Sequence, residues 1–258
     1  MARARRRPVK SFLNKEFLEG PAARPVRILS EYLDPLERFE QAGISDTIVV
    51  FGSSRVDPDR GTGGSSPECR LMARYYEDAR TLTRRLTEWS KGLNDPKRRF
   101  VVCTGGGQGL MEAANRGASE AQGVSLGLNI SLPDEQSANP YITRGLALQF
   151  HYFFMRKFWF LYPAKALIIF PGGFGTMDEL FEMLTLVQSG KLRRRLPIVL
   201  YGSRYWDEIV DFGAMIRYGT ISSDDLDLMF RTDSVDEAYD YITRELLKHA
   251  LNKPGVRL

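Results

Sequence analysis

Ala166-Leu167-Ile168-Ile169-Phe170-Pro171-Gly172-Gly173-Phe174-Gly175-Thr176-Met177-Asp178-Glu179-Leu180 is the stretch that sets the fold. It opens with an apolar run too short for a helix and rich in isoleucine, the pattern of a strand buried on both faces of a parallel sheet. Pro171 ends that strand. Three glycines within four positions then let the backbone turn tightly and place no side chain between it and a ligand. Met177, Leu180, Phe181, Leu184 and Val187 recur at helical spacing, so the pattern predicts a helix directly after the turn. Such a turn presents unpaired N–H groups and the positive end of a helix dipole, which suits phosphate. The stretch reads as an anion cradle at the carboxyl end of a strand, with a carboxylate, Glu179, in the first helical turn. A plainer reading stands beside it. Thr176-x-x-Glu179 is also the spacing of a capping box, in which both side chains only satisfy backbone donors. Capping alone does not require Pro-Gly-Gly-x-Gly, and a capping Thr176 can still turn its hydroxyl toward a ligand.

Two turns of similar composition lie upstream. Thr47-Ile48-Val49-Val50-Phe51 reads as a first strand and runs straight into Gly52-Ser53-Ser54-Arg55, small residues ending in a cation. Arg99 to Thr104 reads as a second strand, followed by Gly105-Gly106-Gly107-Gln108-Gly109 and a helix from Leu110. Further strands are predicted at 124–130, 146–150, 164–170, 197–201 and near 228–230. Helices are predicted between them: one along Leu71, Tyr75, Leu82 and Trp89, and others over 151–162, 206–218 and 235–250. Alternating strands and helices with near-continuous apolar strands predict an α/β fold: a doubly wound, Rossmann-like, mostly parallel sheet with helices on both faces. Ligands in such sheets sit outside the carboxyl ends of the strands, at the point where the winding reverses. Three small-residue turns leaving such ends describe a pocket floored by backbone N–H groups, a nucleotide site.

The chain has 258 residues, 43% hydrophobic and 26% charged, which suits one large α/β domain. Residues 1–27, with Pro8, Pro21 and Pro25 among arginines, read as an irregular, disordered basic tail. Residues 28–258 read as a single nucleotide-binding domain that opens with a helical extension over 28–43. The net charge of +4 is concentrated in Arg3, Arg5, Arg6, Arg7 and Lys10, and in the run Arg193-Arg194-Arg195. Charge runs are most often solvated surface, so nucleic acid is not the expected partner. Cys69 and Cys103 are too few for a disulfide framework and fit a reducing, cytoplasmic setting. No apolar run reaches spanning length, and the basic N-terminus lacks the apolar segment of a signal peptide, so no membrane association is expected.

Several chemistries are argued against by missing patterns. The P-loop spacing is absent, and from Gly105 and Gly107 the third position of a dinucleotide fingerprint is Leu110. No G-x-S-x-G elbow, H-x-x-x-H or C-x-x-C occurs, so neither a serine hydrolase nor a bound metal is expected. His151 heads an aromatic helix and reads as structural. That helix, Tyr152 to Leu161, is apolar nearly all round yet carries Arg156 and Lys157. Buried cations need partners or a polar cleft, though either side chain can also snorkel to the surface. The functional reading turns Arg156 toward Glu179 or an anionic ligand, which a guanidinium fork matches.

These residues resemble a known family, the LOG-type proteins long labelled lysine decarboxylase-like. The signature P-G-G-x-G-T-x-x-E is matched by Pro171, Gly172, Gly173, Gly175, Thr176 and Glu179. An Arg-Lys pair on the preceding helix is matched by Arg156 and Lys157. A G-G-G-x-x-G-L-M turn appears shortened as Gly105-Gly106-Gly107-Gln108-Gly109-Leu110-Met111, and Gly52-Ser53-Ser54 is similar to the family's first turn. The resemblance spans about residues 45–250. It implies a phosphoribohydrolase that cleaves the N-glycosidic bond of a cytokinin riboside 5′-monophosphate or AMP, giving free base and ribose 5-phosphate. Glu179 and Arg156 would be catalytic: the first stabilising an oxocarbenium-like ribose, the second positioning the substrate or assisting departure of the base. Gly172, Gly173, Gly175 and Thr176 would hold the 5′-phosphate. Gly105, Gly106 and Gly107 would allow close approach of ribose or base, with Gly52, Ser53 and Lys157 also in contact with substrate. No cofactor is implied, and a homo-oligomer is. The decarboxylase label lacks chemical support, since nothing marks a Schiff-base lysine pocket.

Two other readings compete. A non-hydrolytic nucleotide- or cofactor-carrying protein of the same fold could keep the glycine turns, but would not need the Arg156/Glu179 pair. DNA binding through the basic tail would show as a steep salt dependence lost on deleting residues 1–10.

Overall fold

In the computed structural model, which describes residues 8–61, 66–132 and 137–255, seven strands run parallel in one sheet. The elements in chain order are α1 (Lys15–Glu19), α2 (Arg24–Gln41), β1 (Thr47–Phe51), α3 (Pro67–Lys91), β2 (Val101–Thr104), α4 (Leu110–Glu120), β3 (Ser125–Ile130), β4 (Ala147–Phe150) and α5 (Phe153–Leu161). Then follow β5 (Ala164–Ile169), α6 (Phe174–Gln188), β6 (Ile198–Tyr201), α7 (Ser203–Ile209), α8 (Phe212–Arg217), β7 (Phe230–Thr232) and α9 (Val235–His249), with short 3-10 turns between some of them. The strand order is β4-β3-β2-β1-β5-β6-β7, so the winding reverses between β1 and β5. This is the doubly wound α/β architecture expected from the alternation of elements.

The pleat assigns the two faces. Ile48 and Val50 of β1 and Ile168 of β5 pack with Tyr75 and Leu82 of α3, Leu110 of α4 and Ile242 of α9. Val49 and Phe51 of β1 and Ile169 of β5 face the other way, toward Trp159 and Phe160 of α5 and Leu180 and Met183 of α6. Ile168 and Ile169 are fully buried, and each removes enough apolar surface from water to contribute about 2 kcal/mol. At the reversal the turns after β1 and β5 are stitched together. Phe170 N–H donates to the Phe51 carbonyl at 2.9 Å, and Ser53 N–H donates to the Pro171 carbonyl at 3.0 Å. The first and third small-residue turns are therefore held side by side at the switch point.

The opposite end of the sheet is closed by a buried ion pair. Arg99 Nε donates to Asp46 Oδ2 at 2.9 Å, with both side chains almost wholly buried. Its remaining nitrogens reach Asp95 at 3.1 Å, the Leu251 carbonyl at 2.9 Å and the Ala250 carbonyl at 3.0 Å, just past the end of α9.

Two boundaries differ from the sequence reading. Residues 1–7 lie outside the described residues, but the irregular tail expected through residue 27 is helical well before that point: α1 is followed by a 3-10 turn at Pro21–Ala23, and α2 starts at Arg24. Proline read as a breaker here serves as an initiator, because Pro21 and Pro25 occupy first-turn positions where a missing N–H costs nothing. Arg27 then ties the segment down by donating to the carbonyls of Leu18 at 2.6 Å and Gly20 at 2.8 Å. The single helix expected over 206–218 is two, α7 and α8. Asp211 interrupts it, since its side chain caps α8 by accepting from Ala214 N–H at 2.7 Å.

Candidate active site

A cavity of about 480 Å³ opens at the switch point, outside the carboxyl ends of β1, β2 and β5. Its floor is built by α6. That helix starts at Phe174, with Gly173 as its N-cap and no side-chain cap bond. Glu179 consequently lies in the second turn rather than the first, and the capping-box reading of Thr176 and Glu179 does not hold. Thr176 instead folds over the turn: a Cβ at Gly172 would lie 2.1 Å from its Oγ1, so only glycine fits beneath it. Gly173 and Gly175 have open space where a side chain would be, and both border the cavity. Met177 N–H, bonded to the Gly173 carbonyl at 3.0 Å, is the first helical bond, leaving the preceding amides without helical acceptors.

Glu179 reaches the cavity from this helix. It is only 5% exposed, and its Oε2 is buried without a hydrogen-bond partner. Burial pushes its carboxyl up to about 7, against the pull of Lys157 and Arg156, with Glu182 and Asp178 adding to the rise. A buried carboxyl held near neutrality in a cleft is poised to act as acid or base.

Arg156 comes from the opposite wall. Its Nε donates to the Leu128 carbonyl at 2.7 Å, and the guanidinium sits 5.0 Å from the centre of the Phe160 ring. Burial draws its pKa below the ordinary arginine value, and the nearby Glu179 works in the other direction. Arg156 and Glu179 border the same cavity. A Cβ at Gly105 would lie 2.6 Å from Arg156 Nη2 and 2.8 Å from Met111 Sδ, so this glycine makes room for the guanidinium.

Of the residues picked out by sequence, Gly52, Ser53, Gly105, Arg156, Gly173, Gly175, Thr176 and Glu179 border the cavity. Gly106, Gly107, Gly172 and Lys157 do not. Gly106 has a φ of +76°, and a Cβ there would fall 1.5 Å from Asn129 Oδ1, so its space is filled from within. The Gly107 carbonyl accepts from Asn139 Nδ2 at 2.9 Å. Lys157 lies behind Glu179, bonded to Asp178 at 2.8 Å and Glu182 at 2.6 Å, and 3.9 Å from Glu179 Oε1. Burial works against its charge, but the bonds to Asp178 and Glu182 outweigh it and hold its pKa above the ordinary lysine value. Asp178 is exposed and serves this ion pair, away from the cavity.

The sequence reading left out Arg55 and Phe174, both on the cavity rim. Arg55 stood out as the cation ending the first turn, and that was its signal. Phe174 is 93% exposed, and only its place inside the glycine turn could have marked it. Among the described residues, no group of three or more His, Cys, Asp or Glu is placed to hold a metal, and no helix is long and apolar enough to cross a membrane.

Residues 111–242, more than half of the chain, match the model of a family described as "Possible lysine decarboxylase". The chain belongs to this family. The match to this LOG-like family takes in Arg156, Glu179 and the turn between β5 and α6, and begins after the first two small-residue turns. No curated protein matches the chain. Among solved structures, the structural-genomics target TM1055 is 24% identical, with a TM-score of 0.48 over 77% of this chain and 99% of its own. A molybdenum cofactor carrier protein from Chlamydomonas reinhardtii is 18% identical, with a TM-score of 0.48 over 79% of this chain and 99% of its own. A molybdenum cofactor binding protein from the phototrophic bacterium Rippkaea orientalis is 17% identical, with a TM-score of 0.47 over 78% of this chain and 94% of its own. These likenesses concern the fold alone.

Proposed function

We propose that the cleft hydrolyses the N-glycosidic bond of a purine riboside 5′-monophosphate, of adenine or cytokinin type, to free base and ribose 5-phosphate. The observation that carries this reading is the Glu179 carboxyl: buried, with an unpartnered Oε2, beside Arg156 and below a row of free amides. A phosphate on the amides of Gly173, Gly175 and Thr176 places the attached sugar within reach of the acid one helical turn below. Water adds at C1′ as the bond to the base breaks. The bonding electrons leave with the base, which takes up a proton. Ionised Glu179 stabilises the positive charge that develops on the ribose and orients the water. Arg156 holds the substrate against it. No lysine borders the cavity, so the Schiff-base residue of a pyridoxal decarboxylase has no counterpart there among the described residues.

The test is release of free base and ribose 5-phosphate from AMP and from isopentenyladenosine monophosphate. Glu179→Gln should lower kcat about a thousandfold with the fold intact. Activity should rise with pH through about 7 as Glu179 ionises. The sign for stability is opposite. Its folded pKa lies above the ordinary glutamate value of 4.5, so the stability it contributes is complete below that value and is lost as pH rises through about 7. Glu179→Gln keeps that stability, and its advantage over wild type should grow by about 3 kcal/mol between pH 4 and pH 8. Binding of either nucleotide without release of base would instead assign a carrier.

A further inference from the structure

The turn that feeds α6 is held from outside the cavity by a residue no motif includes. Tyr205, in the first turn of α7, donates its hydroxyl to the Gly172 carbonyl at 2.7 Å. The ring is fixed edge-on against Trp206, which is fully buried and anchored by its own bond to the Tyr201 carbonyl at 2.9 Å. The backbone beneath is docked as well: a Cβ at Gly202, where φ is +92°, would lie 2.9 Å from Pro171 Cγ. Neither Tyr205 nor Gly172 borders the cavity, whereas Gly173 does.

The geometry of one peptide links these facts. The bond between Gly172 and Gly173 is trans, so its C=O and N–H point in opposite directions. Pulling the carbonyl outward to Tyr205 turns the Gly173 N–H inward, toward the row formed by the free amides of Phe174, Gly175 and Thr176. Glycine on both sides of that peptide lowers the steric barrier to its rotation, so an external hold on its carbonyl matters there.

We propose that Tyr205 is a positioning residue of the phosphate cradle: its hydroxyl locks the 172–173 peptide so that the Gly173 N–H faces the anion. This rests on the phosphate-binding reading of the cleft and adds a determinant from α7, outside the glycine signature. Without the hydroxyl the peptide is free to flip and to present a carbonyl oxygen to the phosphate.

Titration of wild type and Tyr205→Phe with ribose 5-phosphate and with adenosine, alongside steady-state kinetics with AMP, tests it. The variant should bind ribose 5-phosphate about tenfold more weakly, the loss expected for a misdirected charge-assisted hydrogen bond. KM for AMP should rise by the same factor, with the loss falling on KM rather than kcat, and adenosine should bind both proteins alike. The Gly173 amide proton should shift downfield on adding inorganic phosphate to wild type, and less in the variant. Unchanged phosphate affinity, or an equal loss for adenosine, would overturn the proposal. A wild type that binds ribose 5-phosphate but leaves AMP intact removes the hydrolase reading and leaves this one standing. A wild type that binds no phosphate ligand removes both.

Discussion

Two glycine turns leave neighbouring parts of the sheet, and they use glycine for opposite ends. In the turn before α6, Gly173 and Gly175 face open space, so the missing side chains leave bare backbone for something from outside. In the turn after β2, the missing side chains make room for the protein itself. Arg156 and Met111 crowd Gly105, Asn129 fills the space at Gly106, and the Ser53 carbonyl would be 2.4 Å from a Cβ at Gly109. The first turn is a surface and the second a socket. A run of glycines alone does not say which; the distance to the nearest foreign atom does.

Substitution by alanine separates the two. Gly106→Ala should do the most damage to folding. Its left-handed backbone disfavours a side chain, and the new methyl would collide with Asn129, for a loss of about 3 kcal/mol in denaturant unfolding. A native-like stability would mean that the socket is looser than described. Gly105→Ala meets only the far ends of two flexible side chains, so about 1 kcal/mol of stability should go. The displaced guanidinium should nevertheless cost about a hundredfold in kcat/KM for AMP. Gly175→Ala should leave thermal stability unchanged or raise it by about 1 kcal/mol, since alanine favours the helix. Its methyl enters the cavity, however, and should weaken ribose 5-phosphate binding about tenfold. If Gly175→Ala bound as well as wild type, the distinction between surface and socket would fail at its simplest point.

Much of this was legible in the sequence because parallel strands announce themselves. Ile168, Ile169 and Phe170 sit in a continuous apolar run that is too short for a helix and bounded by proline and glycine, which suits a strand covered on both faces. Arg156 was legible for a related reason: a cation on a helix apolar nearly all round must go somewhere polar. Lys157 satisfied the same argument and went elsewhere, because Asp178 and Glu182 lie one face further round α6 and pair with it. Helix starts misled where a single residue type has two roles. Pro25 lies in the first turn of α2 instead of preceding it, and Gly173 rather than Thr176 is the N-cap of α6, which moves Glu179 a turn deeper. Asn129 against Gly106, and Tyr205 against Gly172, join residues 23 and 33 positions apart without any periodicity to reveal them.

The far end of the sheet carries a different lesson. Arg99, out of reach of water, shares its charge between Asp46, Asp95 and two carbonyls just beyond α9. Those carbonyls belong to Ala250 and Leu251, so what looks like a frayed end to be trimmed is part of the lining of a buried cation. Shortening the protein to the last helical residue would strip solvation from a guanidinium the fold has no means of discharging.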